Sequence, residues 1–151
     1  MNKEGGDDMN VKVMYNSRTG NTRKLAEAIA KAVGTPAVQI MDSNNFDCAD
    51  ILFIGDGIYA SKCDKKTENF IKTLDSSKVK NAAVFGTYGG QKKAITLMRE
   101  LLIKQGINVI GEGFGCKGKS WFFFNRKHPD NNDLRDAEEF AKSIVKSKYI
   151  K

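Results

Sequence analysis

A chain of 151 residues, 40% of them hydrophobic, has the length of one domain with a substantial core. The net charge of +7 is not gathered into long runs, since Lys and Arg never exceed two in succession, and no nucleic-acid motif accompanies it. That argues against a nucleic-acid binder and for a basic docking face or plain solvation. Three well-separated cysteines, Cys48, Cys63 and Cys116, and one histidine, His128, argue against a disulfide framework, a His-based metal centre and Ser-His-Asp machinery.

In chain order, residues 1–10 are polar and acidic, lack a signal-peptide core, and read as a flexible lead-in to a single domain over 11–151. Val11–Tyr15 predicts a strand and Asn21–Val33 a helix with Leu25, Ala28, Ile29 and Ala32 inward, ended by Gly34, Thr35 and Pro36. A short strand follows at Ala37–Ile40, then a wholly apolar one at Ile51–Gly55, the pattern of a parallel strand covered on both faces. Lys65–Leu74 predicts a helix with Phe70, Ile71 and Leu74 inward, and Asn81–Gly86 the fourth strand. Lys92–Gln105 is a periodic helix, Asn108–Gly115 the fifth strand, and Asn131–Lys146 the last helix. The last helix turns Leu134, Ala137, Phe140, Ala141, Ile144 and Val145 inward. Cys48 and Cys116 read as small core residues. No apolar run approaches the length of a membrane span, and the protein is expected in the cytoplasm.

Strands alternating with helices at about thirty-residue intervals predict a doubly wound α/β fold with a parallel sheet. In such sheets ligands bind at the carboxyl ends of the strands, where the strand order reverses. The segment leaving the first strand is suited to that place. Ser17, Arg18, Thr19, Gly20, Asn21 and Thr22 join the strand to a helix start, where unpaired N–H groups and the helix dipole attract anions. Hydroxyls and amides add donors, and Gly20 permits close backbone approach. Neither Gly-x-x-x-x-Gly-Lys-Ser/Thr nor Gly-x-Gly-x-x-Gly occurs here, so ATP, GTP and NAD lose their commonest support. The bland alternative is an ordinary helix cap by Ser17 or Thr19.

Tyr15, Ser17, Gly20, Thr22 and Ala26 fill the places of the phosphate-loop pattern of flavodoxins, and the chain resembles that family across its whole core. The resemblance implies a flavodoxin-like five-stranded sheet of order 2-1-3-4-5 and FMN as cofactor. It also implies that two further loops embrace the flavin ring. One contains Asp56, Gly57, Ile58, Tyr59 and Ala60; the other contains Thr87, Tyr88, Gly89 and Gly90. Tyr59 is the expected stacking residue, whereas Tyr88 either meets the ligand or lies outward. The family often places an aromatic where Gly90 stands, so one ring face is either open or covered from Trp121–Phe124, which otherwise pack under the last helix or dock a partner. Ala60 occupies a place often held by glycine, where positive φ costs alanine about 1 kcal/mol. Cys63 is either a reactive thiol beside lysines or an inert loop residue. His128 reads as an exposed loop histidine.

The function the resemblance implies is a small FMN-containing electron carrier that serves electron-donor and electron-acceptor oxidoreductases, with a dedicated small-molecule reductase among the candidate partners. The alternative is an enzyme, an FMN-dependent NAD(P)H:quinone or small-molecule reductase. No catalytic acid or base and no metal ligand stands out. Unlike typical flavodoxins the chain is basic. Lys62, Lys65, Lys66, Lys92, Lys93, Lys117 and Lys119 fall near the expected carboxyl edge, which fits partners with acidic docking faces.

Overall fold

Burial of alternate faces of a few β-rich runs against amphipathic helices produces three layers. The computed structural model describes residues 9–17, 20–41, 46–58, 64–88, 93–117 and 129–149, with the side chains of 58, 88, 93, 94, 116, 117, 148 and 149 left aside. The elements are β1 (Val11–Asn16), α1 (Asn21–Val33), β2 (Ala37–Gln39), β3 (Ala49–Ile58) and α2 (Lys65–Lys72). They continue as β4 (Val79–Tyr88), α3 (Lys93–Lys104), β5 (Asn108–Val109), β6 (Phe114–Lys117) and α4 (Asn131–Tyr149). Among the described residues the pairings are parallel, in the order β2-β1-β3-β4-β5, with β6 also on β4. This is the doubly wound, flavodoxin-like sheet, with its order reversing between β1 and β3.

Period-two alternation assigns each strand residue to one face. Met14, Leu52, Ile54, Ala82 and Val84 pack under α2 and α3, against Phe70, Ile71, Leu74, Ile95, Met98 and Leu102. Val13, Tyr15, Ile51, Phe53, Ala83 and Phe85 pack under α1 and α4, against Leu25, Ile29, Ala137, Ala141 and Ile144. Burial on both faces is why β3 and β4 read as continuous apolar runs. Where Gly55 pairs with Phe85 in the β3–β4 ladder, a Cβ at 55 would lie 2.2 to 2.5 Å from the Phe85 ring. The ring lies across the glycine, so the absence of a side chain at 55 is a packing requirement.

Three expectations need correction. The fifth strand is not continuous over Asn108–Gly115. Gly111 and Gly113 have φ of 72° and 100°, and the chain kinks between β5 and β6. Gly113 passes so close to β4 that a Cβ there would meet Val84 Cγ2 at 2.7 Å. Second, β3 and β4 run beyond Gly55 and Gly86 to Ile58 and Tyr88, so Asp56, Gly57, Ile58, Thr87 and Tyr88 are strand-end residues rather than loop residues. Third, Cys48 is exposed, not in the core; the Asn10 side chain donates to its carbonyl at 3.1 Å. Met9 packs against the α1–α4 side of the core, and Asn10 N–H donates to Asp50 at 2.9 Å.

Candidate functional site

The carboxyl ends of β1, β3 and β4 are brought level by the register Asn16↔Asp56 and Gly57↔Thr87. At this edge β1 delivers the chain to α1. Gly20 precedes the helix with φ 93°, a left-handed conformation that glycine adopts without strain. Its N–H donates to Ser17 Oγ at 3.0 Å, and its carbonyl accepts from Lys24 N–H at 3.1 Å. No side chain at the N-cap accepts from the first turn, and that turn contains no acidic residue. Ser17 Oγ thus meets Gly20 just ahead of the helix, and among the described residues no side chain caps the first turn of α1, whose positive end attracts anions.

Asn21 and Thr22, the first residues of α1, are both buried. Thr22 Oγ1 lies 2.9 Å from Thr87 Oγ1 on β4, and both threonines are below a tenth exposed. The pair ties the start of α1 across the sheet to a second candidate segment. Each hydroxyl has one proton and two lone pairs, so the bond between them leaves either free to meet a further group.

Asp56 is completely buried. Its Oδ1 accepts from Asn16 Nδ2 at 3.2 Å and its Oδ2 from Asp64 N–H at 2.6 Å. Burial pushes the carboxyl up from 3.8 to about 6; the bonds from Asp64 and Asn16 and the nearby Thr67 hydroxyl oppose the rise, and the charge of Asp64 adds to it. Thr67 Oγ1 is itself buried and reaches no partner at full hydrogen-bond geometry. Asp64 in turn caps α2, accepting from Lys66 N–H at 2.9 Å.

The structure thus assembles Ser17, Gly20, Asn21, Thr22, Asp56 and Thr87 at one sheet edge, with the backbones of Gly57, Ile58 and Tyr88 beside them. Arg18, Thr19, Tyr59, Ala60, Gly89 and Gly90 lie outside the described residues, as do Cys63, Trp121–Phe124 and His128. Among the lysines expected at this edge, Lys65 and Lys66 begin α2 and are exposed, and Lys65 pairs with Glu68 at 3.7 Å. Sequence reasoning missed Asn16, which is 4% exposed and holds Asp56. Its signal was an amide closing a strand whose residues 13–15 are apolar or aromatic. It also missed Asp64 and Thr67, for which a capping Asp ahead of a helix was the available cue. Among the described residues no cluster of His, Cys, Asp or Glu is arranged to hold a metal, and no helix is long and apolar enough to cross a membrane.

A family model described as a flavodoxin domain matches residues 12–122. The chain is 30% identical to an uncharacterised protein of Methanocaldococcus jannaschii, over 92% of this chain and 100% of that one. It is 30% identical to a flavodoxin of Clostridium beijerinckii, over 89% of this chain and 99% of the relative. A solved flavodoxin from the domain Archaea superposes with a TM-score of 0.76 at 23% identity, over 92% of this chain and 98% of that structure.

Proposed function

The chain belongs to the flavodoxin family, and from that premise we propose that it is a small FMN-containing electron carrier passing electrons to a partner oxidoreductase in the cytoplasm. One observation carries the FMN reading. Among the described residues the first turn of α1 carries no acid and no side-chain cap, at the edge where the strand order reverses. Such a terminus suits the terminal phosphate that distinguishes FMN from riboflavin. Among the described residues, Ser17, Gly20, Asn21 and Thr22 suit such a phosphate, which they would hold with Arg18 and Thr19; residues 57–60 and 87–90 would hold the ring. Bound FMN supplies the redox chemistry. The chain's own task is to grip the phosphate, fix the ring and present its edge. Thr22 would donate its proton to a phosphate oxygen while accepting from Thr87. A chain of net charge +7 favours partners with acidic docking faces, whose association rate falls with ionic strength.

The test is purification, identification of released flavin, and titration of apoprotein with FMN and riboflavin. FMN is expected to bind far more tightly, and replacing Thr19 and Thr22 together by Ala to weaken FMN while hardly affecting riboflavin. Equal affinity for the two would refute the phosphate assignment. Bleaching by dithionite or a reductase, and not by NADPH alone, is expected of a carrier. Rapid bleaching by NADPH alone would replace this reading by that of an FMN-dependent reductase.

A further inference from the structure

Asp56 is a buried ionisable group that the grip on phosphate does not use. Its two carboxylate oxygens are divided between separate elements. Oδ1 meets Asn16 at the end of β1, and Oδ2 meets the backbone of Asp64 at the start of α2. Asp56 itself stands on β3, two residues before the strand ends at Ile58. The chain therefore leaves β3 and re-enters at α2 with both ends fastened to one side chain, eight positions apart along the sequence. The fastening continues into α2, whose first turn is organised by Asp64: its side chain accepts from Lys66 N–H and its carbonyl from Glu68 N–H. A fully buried carboxylate is costly to keep, and here its two oxygens serve donors from two different elements.

We propose that Asp56 is a positioning residue for the ring end of the flavin site, acting by fastening both ends of the β3–α2 connection to the end of β1. This rests on the flavin reading above. Asp56 acts through the backbone it holds, since its own carboxylate is turned into the protein and fully buried. A residue with this role governs the ring contribution to affinity and leaves the phosphate contribution, supplied by α1, alone.

The intact protein, stripped of flavin, is titrated with FMN and with riboflavin as wild type, Asp56→Ala and Asp56→Asn. Removing charge-assisted bonds to two elements is expected to weaken both flavins by the same factor, about tenfold or more in Asp56→Ala. Asp56→Asn, an isostere with one acceptor and one donor, is expected to restore both to within about threefold, because the Asn16 amide turns over to accept. The Asp64 amide proton resonance is expected to shift in Asp56→Ala. Should Asp56→Ala not fold, Asp56→Ser, too short to hold both partners, takes its place. A loss confined to FMN, an Asn variant as weak as the Ala variant, or unchanged binding in all variants overturns the positioning role while the flavin reading stands. Wild-type protein that binds neither flavin overturns both.

Discussion

Removing the charge of Asp56 has a stability consequence whose sign follows from its burial. The carboxyl ionises at 3.8 in the exposed reference and at about 6 in the folded protein, with burial the leading cause. Each pKa unit corresponds to about 1.36 kcal/mol, so burying the ionised form costs about 3 kcal/mol. Between these two values the folded chain holds a proton that the unfolded chain has released. Stability is therefore fully present below about pH 4, is lost as pH rises through 6, and is flat above it with respect to this group. Asp56→Asn does not titrate. Urea unfolding of apoprotein between pH 4 and 7.5 is expected to show the variant gaining on wild type by about 2.4 kcal/mol over that window, the other titrating groups cancelling in the difference. A difference independent of pH, or one in which wild type gains as pH rises, would refute the reasoning. The second result would mean that the Asn16 and Asp64 bonds outweigh burial.

Other substitutions separate the forces at work. Gly55→Ala places a methyl group 2.2 to 2.5 Å from the buried Phe85 ring, and thermal or urea unfolding is expected to register a loss of about 3 kcal/mol or more. Gly34→Ala meets no atom within 4 Å but must adopt φ 76°, and is expected to cost only about 1 kcal/mol by the same measurement, from backbone strain alone. Thr87→Val leaves the buried Thr22 hydroxyl without its partner; about 1–3 kcal/mol of stability is expected to be lost, and a double-mutant cycle with Thr22→Val to show coupling. Asp64→Ala removes the α2 cap but not the backbone bond to Asp56, so about 1 kcal/mol is expected from chemical denaturation.

The helices were legible because their faces are set by local periodicity. Leu25 and Ile29, or Ala137, Ala141 and Ile144, recur at helical spacing, and the structure buries them all. The α1 bounds agree at both ends, since Gly20 and Gly34 mark them by backbone conformation. Strand ends were harder to read. Gly57 and Thr87 look like turn residues, yet register pairing across β3 and β4 keeps them extended, and pairing is a property of two distant segments. The kink at Gly111–Gly113 was hidden for the same reason: glycines in an apolar run show a weak spot, but only the approach of Val84 shows which way the chain bends. At the site, Ser17, Gly20 and Thr22 announced themselves by local pattern. The Asn16–Asp56–Asp64 fastening did not, because its members are 40 and 8 residues apart and meet only once the sheet has formed.

The kink has a further consequence at the rim of the sheet. Unsatisfied backbone groups along an outer strand invite a second chain to add itself, and long flat rims are where aggregation starts. Among the described residues one rim is β2, three residues long, and the other is divided into β5, of two residues, and β6, of four, by glycines that turn the backbone out of line. Neither offers a template on which a foreign strand would find more than a few consecutive partners. For the electron carrier proposed above, encounters with partner proteins would then be confined to side-chain surfaces and not to added strands.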